Sequence, residues 1–554
     1  MNPDALAAWR ALVEKDLKGA SFEKSLVTET PEGISLPPLY TDTPWDPGVP
    51  GAAPFTRGPR AEPFAPRVCM RVAGDDPEAQ VRDDLDGGAD ALWLDAHRAD
   101  ALRPELADAD ARGVALLLDA RPGDAPRPAA VFAADPLGLI AAGALSPEAL
   151  PGALTWLVDT ARALPGVRVA RVSTLAVHAA GADAADELAY ALSAAAAYLR
   201  ALTDAGVDLA DAAATLTAQV AVGRDTFGEL CKLRALRTLW HKLLAAAGAP
   251  DTALRGLHAV CATRTLSQRD PWVNLLRVTT EVFAAMVGGA EYITPRAFDE
   301  ALAARSPLGR RAARNTALVL RDESHLARVL DPAGGSYAFE HRTHALAREA
   351  WARFTAMERD GGVAALLSAG TLRARYEQAW AKRAVLLDRR REAVLGVSEF
   401  ANLTETLPAR PAASPAPLAP ALVPHRDGER FEAIRDRAET PEKECVLLTL
   451  GPPAEHRARA AFAAQFFAAF GVHTREIDAP AEAPVVCLCG SDERYASEAA
   501  AAARALRGLG CQRVILAGRP GALEGALREA GVNDFIFLGC DAVATMNTIL
   551  EGVR

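Results

Sequence analysis

The chain has 554 residues, half of them apolar and 24% charged, with a formal net charge of −10. That length exceeds what one ordinary core supports, so two or more domains are expected. The acidic balance argues against a nucleic-acid surface, which needs a basic face, and the absence of any charge-free apolar run of about 18 residues argues against a membrane span.

The N-terminal stretch MNPDALAAWRALVEKDLKG carries acidic residues and no apolar centre, so it does not read as a secretory signal. Residues 1–66 read as an arm. A short amphipathic helix on Leu6, Trp9, Leu12, Val13 and Leu17 ends near Gly19, and the Pro/Gly-rich stretch PLYTDTPWDPGVPGAAPFTRGP follows. Such a segment cannot bury much of its own apolar surface, so it is expected to wrap a neighbouring surface or another chain.

From 67 onward apolar runs alternate with helix-period stretches. Strands are predicted at 68–72, 91–95, 114–119, 129–133, 167–172, 214–220, 256–262 and 290–293, and helices include 183–204, 223–248 and 270–287. Eight strand–helix units predict an α/β fold, a (β/α)8 TIM barrel over 67–340, with an open doubly wound sheet as the competing arrangement. Residues 341–405 read as a helical linker region whose basic run, Lys382–Arg391, is taken as a solvated helix face. The Pro/Ala-rich stretch 406–425 reads as a stiff linker. Residues 441–554 alternate again, with strands predicted at 445–450, 473–477, 484–489, 513–517 and 534–538, which suggests a flavodoxin-like domain. The eight cysteines are scattered, and Cys487-x-Cys489 has no second ligand pair of zinc type. Buried thiols in a cytoplasmic protein are the expectation, with no metal site.

Several ordered motifs then become specific. They are PLYT (38–41), PFTRGP (54–59), ELAYAL (187–192), KLRALRTLW (232–240), SQRDPWVNLLR (267–277), GGAEYI (288–293), ARNTALVLRDES (313–324) and DPAGGSYAFE (331–340). Together they resemble the methylmalonyl-CoA mutase family over nearly the whole chain. The resemblance implies an acyl-CoA mutase-type barrel followed by a cobalamin-binding-type domain. In working chains of that family acyl-CoA passes through the barrel and adenosylcobalamin lies between the two domains.

The resemblance also implies where the chemistry should sit, and this chain departs there. The family's Asp-x-His-x-x-Gly loop, whose His ligates cobalt, is replaced by LGPPAEHRARAAF (450–462). The Asp position falls on Ala454, the Gly position on Arg459, and only His456 lands where the axial ligand would be. The family tyrosine near the acyl group falls on Phe64, and the histidine on the thioester carbonyl falls on Ala176. His178 lies two residues on and, on a strand, would share Ala176's face. Arg82, Arg98 and Arg112 are available for a substrate carboxylate but read as surface residues. Asp270-Pro271 reads as a helix start, and Gly334 and Gly335 as turn residues.

The expectation is therefore a small, non-catalytic subunit with a degenerate cobalamin-type domain and no catalytic residues of its own. It would pair as a heterodimer with a catalytic large subunit that binds the adenosylcobalamin, with acyl-CoA binding by this chain in doubt. The alternative is a divergent active mutase that binds cobalamin without the motif.

Overall fold

The computed structural model describes residues 3–73, 76–127, 129–302, 306–407, 421–438 and 444–552. The arm opens with helix α1 (Pro3–Asp16), whose Trp9 meets Phe22 edge-on at 6.1 Å. The rest of the arm lies on its own chain. Thr56 Oγ1 meets Thr238 Oγ1 at 2.8 Å, Arg57 Nε donates to Asp331 at 3.0 Å, and Tyr40 and Trp45 pack on His341 and His344. The wrapped surface is thus this chain's own for most of the arm, because the outer helices offer it both ion-pair partners and apolar ground.

Eight parallel strands close into a barrel: β1 (Arg67–Arg71), β2 (Ala91–Asp95), β3 (Ala115–Asp119), β4 (Val131–Ala134), β5 (Arg168–Ser173), β6 (Leu216–Val222), β7 (His258–Cys261) and β8 (Tyr292–Thr294). β8 returns to β1 with Tyr292 opposite Arg67. Outward residues such as Ala170, Val172, Ala218 and Val220 pack under helices α2 (Ala184–Asp204) and α3 (Thr226–Ala247). Both helices start on an aspartate: Asp183 and Asp225 accept from the amides of Asp186 and Gly228. Burial on both faces explains why the strands read as continuous apolar runs rather than alternating ones.

Arg234 of α3 is fully buried and binds Asp331 and Glu340, which ties helix α4 (Tyr337–Arg359) to the barrel. Helix α5 (Thr371–Asp388) follows. Gly181 lets it approach: its φ is +102°, and a Cβ there would sit 2.7 Å from that of Trp380.

The Pro/Ala stretch 406–425 falls mostly outside the described residues, but 421–425 is not a free linker. The Leu422 amide donates to Ala141 O at 2.9 Å and the His425 amide to Ala179 O at 2.8 Å. The Asp427 amide donates to Arg264 O at 2.8 Å. These acceptors follow β4, β5 and β7, so the segment crosses the C-terminal mouth of the barrel as a strap. Helix α6 (Glu429–Ala438) continues it, with Phe431 stacked on Phe470 at 5.0 Å.

The second domain has five parallel strands: β9 (Glu444–Thr449), β10 (His473–Ile477), β11 (Val485–Cys489), β12 (Arg513–Ala517) and β13 (Asp534–Ile536), in the order β10-β9-β11-β12-β13. This is the flavodoxin-like order, whose ligand crevice lies at the C-terminal ends of β9 and β11. Among the described residues no helix is long and apolar enough to cross a membrane. All eight cysteines are free thiols, seven of them buried.

Candidate functional site

Three places could carry chemistry: the barrel bore, its C-terminal mouth, and the crevice of the second domain.

The bore is filled. Cys69, Ala91, Trp93, Leu117, Val131, Ala133, Val260 and Tyr292 point inward from six strands and form one buried cluster. Trp93 Nε1 donates to Asp119 Oδ1 at 2.7 Å, and its ring meets His258 edge-on at 5.2 Å. The Arg71 guanidinium lies 4.4 Å over the same ring and donates to Asp95 and Asp119. Arg171 also donates to Asp119. Burial works to raise the Asp119 carboxyl, but Arg171 and Arg71 outweigh it and hold it low. Gln219 bridges His258 Nδ1 at 3.1 Å and Ser173 Oγ at 3.0 Å, and His258 Nε2 meets Thr294 Oγ1 at 2.8 Å. Burial and then Arg171 push His258 down to about 3, so the ring is neutral. An aromatic cluster and a self-neutralised ion network thus occupy the interior of the barrel.

At the mouth, β5 ends at Ser173 and residues Leu175–Ala179 form a single helical turn. The expectation that His178 shares a strand face with Ala176 is therefore corrected. A helical step of two residues rotates the side chain away by about 200°. Ala176 packs at the edge of the main core. His178 is buried, its Nδ1 donating to Glu187 at 2.6 Å, and its ring edge lies against Gly223. Glu187 also receives Thr174 Oγ1 at 3.1 Å and Lys232 Nζ at 3.2 Å, while Lys232 pairs with Glu229 at 2.6 Å. Burial and then Arg264 push His178 down to about 4, so it stands neutral with Nε2 unpartnered. The group is a buried clamp between α2 and α3 and does not reach the bore.

Phe64 lies elsewhere. It precedes β1, at the N-terminal end of the barrel, whereas Ala176 follows β5 at the C-terminal end. Five residues of strand separate the two ends by on the order of 15 Å. A tyrosine and a histidine serving the same acyl group cannot occupy both places, so the pairing of these two positions is not what the fold brings together. The residues that leave β1 at the C-terminal mouth are Arg71 and Val72, and no spacing argument from TRGP could locate the strand end. Phe64 is half-buried under Arg60, whose guanidinium lies 5.0 Å from its ring centre. It lines a cavity of about 30 Å³ with Arg57, Arg237 and Asp331, room for about one water. Arg82 and Arg112 bind Glu78 O and Asp86, while Arg98 lies 4.0 Å from Asp95, the carboxylate that Arg71 also binds at the bore.

The crevice of the second domain is filled as well. Helix α7 (Pro453–Ala468) begins where the ligand loop would be, with His456 half-buried in its first turn. His456 Nδ1 has no hydrogen-bond partner, and Ala454 offers only a methyl where a carboxylate would orient the ring. Arg459 donates to Gly490 O at 2.8 Å and to Asp492 at 2.5 Å, and stacks 4.7 Å over Tyr495. The Tyr495 hydroxyl accepts from the Gly490 amide at 3.0 Å and donates to Ala517 O at 2.7 Å. Glu455 and Arg494 pair at 2.6 Å beside Gly451. These side chains close the ends of β9 and β11, where a corrin tail would need open space. The residues do not fit the group.

Fold and sites together define a two-domain α/β protein, a barrel followed by a flavodoxin-like unit. The family profile of methylmalonyl-CoA mutase matches residues 147–469. The chain is 38% identical to the methylmalonyl-CoA mutase small subunit of Streptomyces virginiae, covering 99% of this chain and 97% of that one. It is 30% identical to the small subunit of Propionibacterium freudenreichii subsp. shermanii, with 97% and 91% covered. The methylmalonyl-CoA mutase of Cereibacter sphaeroides is 31% identical over 71% of this chain and 64% of its own length. The chain belongs to the methylmalonyl-CoA mutase family.

Proposed function

We propose that this chain is the small, non-catalytic subunit of an adenosylcobalamin-dependent methylmalonyl-CoA mutase. It would pair with a catalytic large subunit that interconverts methylmalonyl-CoA and succinyl-CoA, and act in the cytoplasm, where its eight free thiols would persist. The observation that carries the reading is the double filling of ligand space. Trp93 and the Arg71–Asp119–Arg171 network occupy the bore, and Arg459 with Tyr495 occupies the crevice. Loss of a motif alone leaves room for a substitute ligand, but a filled crevice does not. The relatives matched over nearly their full length, named as small subunits, support the same reading.

Titration of the purified chain with adenosylcobalamin, followed by absorbance, tests it. No saturable spectral change is expected. Tight binding with histidine ligation to cobalt would overturn the reading in favour of a divergent active mutase using His456.

A further inference from the structure

The basic run Lys382–Arg391 is a feature that the filled sites do not absorb. Helix α5 divides it. Arg383 turns inward to Asp427 and Glu392, and Arg390 lies beside Glu399. Lys382, Arg389 and Arg391 face solvent and enter no ion pair among the described residues. Lys382, Val385, Leu386 and Arg389 are spaced i, i+3, i+4 and i+7, so they share one face of the helix.

The chain then folds back and widens that face. The amides of Arg391 and Glu392 donate to Leu386 O, and Leu395 O accepts from Arg277 at 2.5 Å. Gly396 sits against Asp270 and Val273, and Arg277 binds Leu395 O, so the segment carrying the exposed Trp272 and Leu276 runs beside Leu395. Val385, Leu386, Leu395, Phe400, Trp272 and Leu276 are each between 36% and 65% exposed. Single exposed apolar residues need no explanation, but adjoining ones interleaved with unpaired cations mark an interaction surface.

We propose that this patch docks the catalytic large subunit and receives an acidic surface of that chain. The inference rests on the subunit reading above, which supplies a second chain to cover it. The aromatic and aliphatic side chains match an interface core, and three cations with no ion pair among the described residues, on a chain of net charge −10, select an acidic counterpart. A nucleic acid or a lipid surface would call for a broader basic face.

The test uses the full chain and its co-expressed large chain, with complex affinity measured by sedimentation. Two variants are compared with the wild type: Leu395→Glu with Phe400→Glu, and Arg389→Glu with Arg391→Glu. The apolar variant should weaken the 1:1 complex at least tenfold. The charge variant should weaken it at low salt, with the difference shrinking at high salt. Trp272→Ala with Leu276→Ala covers the case in which the glutamates disturb folding, with thermal unfolding as the check. Affinities within twofold of wild type for well-folded variants overturn the patch and leave the pairing intact. A wild-type chain that forms no complex overturns the pairing itself. A homodimer dissolved by these variants, or phosphatidylserine-vesicle binding lost in them, overturns the assigned occupant.

Discussion

Glu281 lies fully buried on the helix after β7, accepting from Thr265 Oγ1 at 2.6 Å. Burial pushes its carboxyl from 4.5 up to about 8. The native state keeps a proton that the unfolded chain releases, so this group's contribution is full below pH 4.5 and is lost as pH rises to about 8. Glu281→Gln should flatten the fall in denaturation midpoint between about pH 5 and 8; an undiminished slope in the variant contradicts the assignment. Trp93→Ala should cost about 3–5 kcal/mol in urea unfolding, because the bore would be left with a void. A cost under about 1 kcal/mol would mean that the bore is not packed. At this scale the sequence shows substitutions but not their consequences. Ala454 and Arg459 are visible as losses from a motif, yet Arg459 reaching Gly490 and Tyr495 joins residues more than thirty positions apart. His178 and Glu187 are both visible, but only the helical turn after Ser173 turns them toward each other.

Strands and helices were the most legible elements. All eight barrel strands and all five of the second domain overlap the predicted strands; most are parallel strands buried on both faces, which leave an apolar signature, whereas the edge strand His473–Ile477 is polar and exposed. The five-residue turn Leu175–Ala179 was not legible, since a period cannot be read over one turn. The strap was hidden for another reason. Its composition is that of a linker, and what pins it is backbone bonding and one carboxylate. Asp427 receives Arg383 through two bonds, at 2.8 and 2.9 Å, and Arg224 Nε lies 3.3 Å away. Burial works to raise this carboxyl, but the Arg383, Arg224 and Arg264 guanidinium groups hold it far below the usual range. Asp427→Ala would strand those charges at a cost of about 3–5 kcal/mol. Hydrogen exchange should then rise across residues 422–432. Unchanged exchange there would show that the strap is held by something other than Asp427.

For the whole molecule, the barrel and the flavodoxin-like unit stand in a chain of the methylmalonyl-CoA mutase family, with Trp93 inside the barrel and Arg459 at the second domain's crevice. The family motifs SQRDPWVNLLR and DPAGGSY supply packing and turns here. Asn274 and Arg277 of the first motif bind Ser267 and Leu395 O, and Asp331 of the second binds Arg57 and Arg234. The proposed subunit role fixes the number of ligands that the proposed pair would carry. Native mass spectrometry of the assembled complex, loaded with excess adenosylcobalamin, counts it. One adenosylcobalamin per pair of chains is the predicted result; two per pair would contradict the proposal that this chain binds none.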